Sequence, residues 1–209
     1  MLELLRDGRG VESWTPTGDI ARVCFAGDDI LVAANHHKDE VHRRRRHGLG
    51  VITNRRVLQL LLSIPGGVAV PTVFLREKDL RLLQRLPPGI VEISDDEVRV
   101  VVSPALQLSS VGVVATTWKQ GLRLSSPYAA YCARFVVLSR GLRTSDAPLA
   151  TLEARYYGLG LAEVRDGRLD WLVSPAPFQV DRFTAASWLM AERLTAALSG
   201  LQPTTGERS

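Results

Sequence analysis

Residues 20–35 read IARVCFAGDDILVAAN, and this stretch carries the pattern on which the fold prediction rests. Two short apolar runs flank a Gly-Asp-Asp turn, which is typical of two antiparallel strands joined in a hairpin. The pattern recurs at residues 89–104, GIVEISDDEVRVVVSP, around an acidic turn, and at residues 161–173 around an Asp-Gly turn. Further strands are predicted at 68–74, 111–118, 129–140 and 149–160. The chain is therefore expected to be rich in antiparallel strands.

Two segments have the periodicity of amphipathic helices. Residues 75–86, LREKDLRLLQRL, place leucines on one broad face, and a Pro-Pro-Gly run follows. A closing helix is predicted over residues 181–199, with Asp181 as its N-cap and a stop at Gly200 and Pro203. The apolar residues of its predicted buried stripe are Phe183, Ala186, Met190, Leu194 and Ala197.

The composition is that of an ordinary folded protein, with 209 residues, 45% of them apolar and 23% charged, and a mean hydropathy of +0.03. This length is enough for two small domains that each bury a core. We predict an α+β fold of two consecutive, antiparallel β-rich units, residues 1–110 and 111–202, with a disordered tail at 203–209. The first unit holds the inserted helix at 75–86, and the C-terminal helix closes the second.

The two predicted units resemble each other, which favours an internal duplication. Strand–turn–strand sequences also resemble one another without a common origin, so the alternative stays open. The matching pairs are ILVAANHHK (30–38) with GVVATTWKQ (112–120), GVITNRRVL (50–58) with RFVVLSRGL (134–142), and DDEVRVVVSPA (95–105) with DGRLDWLVSPA (166–176).

Several classes of protein are excluded by what the sequence lacks. No apolar run is long enough to span a membrane, and the start, MLELLRDGRG, lacks the basic and apolar regions of a secretory signal. We therefore expect a soluble, cytoplasmic protein. Cys24 and Cys132 form no CxxC pair and no metal-ligand spacing, so neither a zinc finger nor a disulfide framework is supported. Both are expected to be small buried apolar residues.

The basic charge of the chain is concentrated in one place. Lysine and arginine number 26 against 22 acidic residues, which gives a net charge of +4 and a pI of about 9.4. Residues 36–56, which we call the basic segment, contain seven basic and two acidic residues. This local balance of +5 leaves −1 for the other 188 residues. A protein that is neutral apart from one patch attracts phosphate-bearing partners to that patch.

All four histidines lie in the basic segment, from His36 to His47, interleaved with two acids and four consecutive arginines. Arginine forks suit phosphate oxygens, which favours a phosphate-binding loop. A metal site of His37, Glu40 and His42 has suitable ligand types but no standard spacing, and the arginines would repel a dication. In a third interpretation the segment is a solvated hairpin tip whose acids and arginines pair with each other. The candidate phosphate contacts are Lys38, His42, Arg43, Arg44, Arg45, Arg46, His47, Arg55 and Arg56.

Residues 50–57, GVITNRRV, resemble a hairpin strand of bacterial PH-like and GRAM-type domains. The resemblance implies an antiparallel barrel closed by an amphipathic helix, the role of residues 181–199 here. It also implies that the loop joining the first two strands, residues 35–47, holds anionic headgroups or protein partners. Relative to that pattern the helix at 75–86 is an insertion, and the second half of the chain lacks the motif.

We predict a non-enzymatic protein that binds the phosphate backbone of nucleic acid through the basic segment, with little sequence specificity. No cofactor or metal is expected. Trp118, Tyr128 and Tyr131, if exposed, would extend binding to single strands by stacking on bases. One alternative is a PH-like adaptor for a protein partner or an anionic membrane surface. A homodimer is also considered, because Trp188 lies off the predicted buried stripe.

Two further alternatives concern other architectures and chemistry. A winged-helix interpretation takes 54–64 and 75–86 as helices and 90–102 as the wing, although the acidic wing tip would repel phosphate. A His/Glu-based nuclease would use His37, Glu40 and His42 for acid–base work. The chain contains no GxSxG, P-loop or GxGxxG motif, so no other enzyme class is indicated.

Overall fold

The computed structural model describes residues 14–166, 168–179 and 182–199. The chain forms two compact units, each assembled from two separate stretches. Unit 1 comprises Met1–Asn35 and Leu108–Asp181, and unit 2 comprises His36–Gln107 and Arg182–Ser209. The sequence predicted consecutive units that meet after residue 110. In the structure, most of unit 2 is inserted in the chain between the first hairpin and the later strands of unit 1.

The described residues contain both helices and strands in an irregular order, consistent with an α+β protein. The strands are β1 (Asp19–Phe25), β2 (Asp28–His36), β3 (Ala69–Pro71), β4 (Val91–Ile93), β5 (Glu97–Val100), β6 (Leu106–Ala115), β7 (Ala133–Leu138), β8 (Leu159–Arg165) and β9 (Arg168–Val173). The helices are α1 (Lys38–Arg46), α2 (Arg55–Ser63), α3 (Glu77–Gln84), α4 (Trp118–Ser125), α5 (Ala147–Tyr156) and α6 (Ala185–Ser199).

Unit 1 is built around a mixed six-stranded sheet with the strand order β1-β2-β6-β7-β8-β9. The pairs β1–β2 and β8–β9 are antiparallel, as predicted for hairpins. The β1–β2 turn consists of Ala26 and Gly27, which both have positive φ (53° and 88°), so it begins one residue before the predicted turn. Asp166, with a φ of 47°, lies in the β8–β9 turn, and Gly167 lies outside the described residues.

The prediction of antiparallel strands is wrong for the middle of this sheet, because β6, β7 and β8 are parallel. Parallel neighbours need a crossover connection, and α4 and α5 provide the two crossovers. The predicted strand at 149–160 is therefore corrected to helix α5. Its sequence, APLATLEARY, is rich in strong helix formers and has Pro148 in the first turn, where proline is tolerated.

Unit 2 combines a small antiparallel sheet, in the order β3-β5-β4, with helices α1, α2, α3 and α6. The helices α2 and α6 pack on each other, and leucines of α2 and α3 share one apolar core with residues of the sheet. Buried members of this core include Leu58, Leu61, Leu83, Ile90, Val98, Val100 and Trp188. The three elements of the winged-helix interpretation, two helices and a hairpin, are all present.

The segment that resembles PH-like domains does not continue as a strand. Asn54 is the N-cap of α2, and its Oδ1 accepts hydrogen bonds from the backbone N–H groups of Arg56 (2.8 Å) and Val57 (3.2 Å). These bonds satisfy donors that a helix start leaves open. Residues 55–57 therefore belong to the first turn of a helix, and the middle pair of the proposed duplication matches this helix start with strand β7.

The C-terminal helix is confirmed as α6. Of its predicted buried stripe Leu194 is buried, whereas Phe183 and Ala197 are exposed. Trp188 is 3% exposed, so its predicted role as an exposed dimer contact is wrong. The predicted N-cap Asp181, the stop at Gly200 and the tail lie outside the described residues. The buried residues of α6 are Ala185, Trp188, Ala191, Glu192, Leu194 and Thr195.

Candidate functional site

Most of the first half of the basic segment is a helix and not the loop that the sequence predicted. Residues 38–46, KDEVHRRRR, form α1, with Asp39 and Glu40 in the first turn and four arginines in the last. Acids near a helix N-terminus and bases near its C-terminus both interact favourably with the helix dipole. The charge order that made the segment look like a solvated tip therefore stabilises a helix.

One face of α1 is buried and its charges are paired. Arg44 is 0% exposed, and its guanidinium has five N–H donors, each with an acceptor in unit 2. Its Nε donates to Glu40 Oε1 at 2.8 Å, and its two Nη atoms form a fork with Glu192, both at 2.7 Å. The remaining donors reach the carbonyl oxygens of Ser103 (2.7 Å) and Gly50 (3.4 Å). Arg44 is thus a structural residue and not an exposed phosphate contact.

Glu192 of α6 is the central acceptor of this arrangement. Besides the Arg44 fork, it accepts hydrogen bonds from the indole Nε1 of Trp188 and from the backbone N–H of Ile52, both at 2.9 Å. Glu192 is 0% exposed, so its charge is compensated entirely by these donors. We call Glu40, Arg43, Arg44 and Glu192 the buried ion network.

Arg43 completes the network from a partly buried position. Its Nε and Nη2 donate to the two carboxylate oxygens of Glu40 at 2.7 and 2.8 Å, and its Nη1 donates to the carbonyl of Gly89. Burial acts to raise the pKa of Glu40, but the hydrogen bonds from Arg43 and Arg44 offset it and hold the pKa below its usual value. Burial likewise acts to lower the pKa of Arg44, and the two carboxylates raise it overall.

The opposite face of α1 is exposed and basic. Four basic residues of α1 follow one another at steps of four, three and one positions: Lys38, His42, Arg45 and Arg46. With about 3.6 residues per turn, they share one side of the helix. All four are exposed, and their side chains form no ion pair or hydrogen bond with the described residues. We call these four residues the exposed basic face.

Three other predicted contacts lie next to α1 or at the start of α2. Arg55 and Arg56 are exposed in the first turn of α2, where a positive charge opposes the helix dipole. Neither side chain has an ion-pair partner among the described residues. His47 follows α1 and is exposed, and its ring lies beside the backbone of Gly89.

The histidines of the basic segment do not converge with Glu40 on a common point. His37 Nδ1 lies 3.0 Å from the carbonyl of Pro104, and both oxygens of Glu40 are engaged by arginines. Within the described ranges, no group of three or more His, Cys, Asp or Glu side chains is placed to hold a metal ion. The geometry therefore gives no support to the metal site or to the nuclease centre drawn from these residues.

The aromatic residues considered as stacking platforms are not available. Trp118 is 8% exposed and Tyr128 is 4% exposed, so both belong to the interior of unit 1. Burial raises the pKa of Tyr128, consistent with its position. Tyr131 is half-buried. The expectation that these rings bind bases is corrected for the two buried ones.

The division into units sharpens the charge asymmetry that the sequence indicated. Unit 2 contains 15 lysines and arginines against 10 acidic residues, which gives +5. Unit 1 contains 11 against 12, which gives −1. The excess positive charge therefore belongs to unit 2 alone, and the unpaired part of it includes the exposed basic face.

Comparison with protein-family models, with curated proteins and with solved structures finds no match to this chain. The resemblance of residues 50–57 to PH-like domains therefore stays a prediction. Among the described residues, none of the helices is both long and apolar enough to cross a membrane.

Sequence reasoning missed Glu192 and assigned Trp188 to a dimer contact in place of its contact with Glu192. Glu192 is 148 residues from Arg44 in the chain, and no local pattern connects them. A partial signal was present in α1 itself, because Glu40 stands three and four residues before Arg43 and Arg44, the spacing of ion pairs on a helix. That spacing could have separated the two inward arginines from the two outward ones.

Proposed function

We propose that unit 2 binds nucleic acid through its phosphate backbone, using the exposed basic face together with Arg55 and Arg56. The observation that carries this proposal is the sorting of charge on α1. Arg43 and Arg44 neutralise acids inside the unit, whereas Lys38, Arg45 and Arg46 have no acidic partner within the part of the chain that the structure describes.

An unpaired guanidinium on a helix surface is a ready phosphate ligand. Its planar donors match two phosphate oxygens, and no intramolecular carboxylate has to be displaced before binding. The exposed acid of α1, Asp39, stands in the first turn, whereas Arg45 and Arg46 stand in the last. Contacts of this kind are made to the backbone, so we expect strong salt dependence and little sequence preference.

The buried ion network supports the same proposal by fixing α1. Because Arg44 is held at all five donors, the helix has one orientation in unit 2, and Arg45 and Arg46 follow it in the chain on the outward side. A fixed array of cations loses less conformational entropy on binding than a flexible loop does.

The second candidate is an adaptor for a protein partner or an anionic membrane surface. The PH-like resemblance implies this function, and it also implies two tandem PH-like units. One observation favours a membrane: Val73 and Phe74 are 82% and 76% exposed. Another opposes it, because the backbone N–H of Thr72 donates to the carbonyl of Asp96 at 2.7 Å. This bond places an acidic turn beside the apolar pair, and carboxylates are repelled by anionic lipid.

Fluorescence anisotropy with labelled single-stranded and double-stranded DNA of about 24 nucleotides tests the proposal. The variant Arg45→Ala plus Arg46→Ala should weaken binding at least about tenfold at low salt, because two phosphate contacts are lost. Arg44→Ala is unsuitable for this test, since it disrupts the buried ion network.

The matched control is Arg123→Ala plus Arg140→Ala, which removes the same charge from exposed positions of unit 1. It should bind like the wild type. Equal loss in both variants would attribute binding to net charge and overturn the assignment of the site. No binding of either DNA at low salt, with binding to anionic but not to neutral vesicles, would overturn nucleic-acid binding in favour of the adaptor.

A further inference from the structure

We infer that the exposed basic face recognises double-stranded DNA of B form, in preference to single strands and to double-stranded RNA. This inference deepens the proposed function and rests on it. The positive charge of the basic segment does not by itself discriminate between these ligands, because every nucleic acid carries phosphates. The choice among them follows from which side chains surround the cations and from the geometry of α1.

Proteins that bind single strands without sequence preference typically combine a basic groove with Phe, Tyr or Trp rings on which successive bases stack. The exposed basic face contains none of these three residue types, since its members are lysine, histidine and arginine. The tryptophan of unit 2, Trp188, is buried and donates its indole N–H to Glu192. Phe183 lies against Trp188 with 6.3 Å between ring centroids, so one side of that ring is already in contact.

The other exposed Phe, Tyr or Trp ring among the described residues of unit 2 is Phe74. It follows Thr72, which is hydrogen-bonded to the acidic turn at Asp96. Phosphates are repelled by the carboxylates of Asp95 and Asp96, so a strand is not drawn to this ring. Beside its exposed cations unit 2 thus has no accessible Phe, Tyr or Trp ring among the described residues, which favours a ligand whose bases are already stacked.

The length of α1 fits the groove of a B-form duplex. Lys38 and Arg46 are eight residues apart, which at a rise of 1.5 Å per residue is about 12 Å along the axis. The major groove of B-DNA is about 12 Å wide, so basic side chains at the two ends of α1 reach the phosphates on its two sides. The major groove of A-form RNA is deep and narrow, so the phosphates on its two sides do not match the separation of the two ends of α1.

The rigidity of α1 also favours a duplex. A duplex holds its phosphates at fixed spacing, whereas a single strand must be ordered on binding at a cost in conformational entropy. Double-stranded DNA carries about one charge per 1.7 Å of axis, twice the density of a single strand, so more counterions are released per contact. The fixed spacing of the phosphates and the higher charge density both favour the duplex over a single strand.

Salt titration gives the quantitative expectation. Five phosphate contacts, one for each of Lys38, Arg45, Arg46, Arg55 and Arg56, predict a slope of log K against log salt of about −4.5 for duplex DNA. The affinity then falls about 500-fold between 50 and 200 mM salt. For a single strand the slope is about −3.5 and the loss about 130-fold.

The experiment is an anisotropy competition among one labelled DNA duplex of about 24 base pairs, either of its single strands and the RNA duplex of the same sequence. We expect the DNA duplex to bind at least about tenfold more tightly than both competitors at equal salt. The variant Arg45→Ala plus Arg46→Ala should reduce the duplex slope by about 1.8, to about −2.7, and the loss over the same salt range to about 40-fold.

The outcomes distinguish failure of the duplex inference from failure of the proposed function. If single-stranded DNA or RNA duplex binds as tightly as the DNA duplex, and binding still depends on Arg45 and Arg46, the duplex inference is overturned while the proposed function stands. If none of the nucleic acids binds at low salt, the proposed function itself fails. Circular dichroism of the variant and of Arg123→Ala plus Arg140→Ala shows that both retain the wild-type fold.

Discussion

Replacing Glu192 with alanine should destabilise unit 2 severely, because this side chain organises the buried ion network. The substitution removes acceptors for four hydrogen bonds, two from Arg44, one from Trp188 and one from Ile52. It also leaves the Arg44 charge fully buried with Glu40 as its remaining carboxylate partner. Breaking a buried ion pair from one side costs about 3–5 kcal/mol.

This cost can be measured by urea unfolding followed by circular dichroism. With a slope of about 1–3 kcal/mol per molar urea, the midpoint of the unit 2 transition should fall by at least about 1 M. The control is Glu77→Ala in α3, which removes an equally charged side chain from an exposed ion pair with Arg81. It should change the free energy of unfolding by less than about 0.5 kcal/mol.

A double variant distinguishes burial of charge from loss of packing. Arg44→Met combined with Glu192→Leu replaces charged groups by apolar ones of similar size, and such replacements are often nearly neutral. We expect it to be more stable than Glu192→Leu alone, since no unpaired buried cation remains. Two results would refute the reasoning. In the first, Glu192→Ala lowers the free energy of unfolding by no more than Glu77→Ala does. In the second, the effects of Arg44→Met and Glu192→Leu on that free energy add strictly in the double variant.

Three further predictions concern positions outside the proposed interface. Cys132 is buried and its pKa is raised by burial to about 12, whereas Cys24 is exposed, contrary to the expectation that both are buried. A thiol reagent at neutral pH should therefore titrate one thiol in the native protein and two in denaturant, and two native thiols would contradict the buried position. Gly112→Ala should destabilise unit 1 by about 1–3 kcal/mol in thermal unfolding, since a Cβ there overlaps the ring of Phe135; an unchanged midpoint would contradict this close packing. The lowered pKa of Glu40 means that its ionised form stabilises the folded state at pH values above the unfolded pKa, about 4.5. This contribution is lost as the pH falls below that value. Unfolding measured at pH 3–7 should therefore show a smaller loss in the free energy of unfolding for Glu40→Gln than for the wild type.

The parts of the fold that the sequence predicted well are those set by local chemistry. The hairpins β1–β2, β4–β5 and β8–β9 have glycine or acidic turn residues between apolar runs, and α3 has a clear amphipathic period. Helix α5 was mistaken for a strand because LATLEARYYGLG is apolar on most sides, and its period alone does not distinguish the two. The interleaving of the units depends on contacts distant in sequence, which no local pattern records.

For the candidate site, too, local features could be predicted from the sequence and long-range contacts could not. That residues 36–56 carry the excess charge was visible in the composition, and the structure places that excess in unit 2. Which arginines are available was not visible, because four identical residues in a row give no period of their own. The acceptors that bury Arg44 come from α6 and from the carbonyls of Ser103 and Gly50, and these lie outside any window around the segment.

A run of four arginines on a helix cannot serve one purpose. Each residue turns by about 100°, so four in succession cover most of the helix circumference, and some must face the interior. In α1 the inward pair, Arg43 and Arg44, requires Glu40 and Glu192 as buried counter-charges. The outward pair, Arg45 and Arg46, then has no ion-pair partner among residues 14–166, 168–179 and 182–199, on a helix held in place by those same contacts. Structural arginines and those proposed to bind phosphate are thus coupled. If the proposed function holds, a substitution in the buried pair should reduce nucleic-acid binding only by unfolding unit 2.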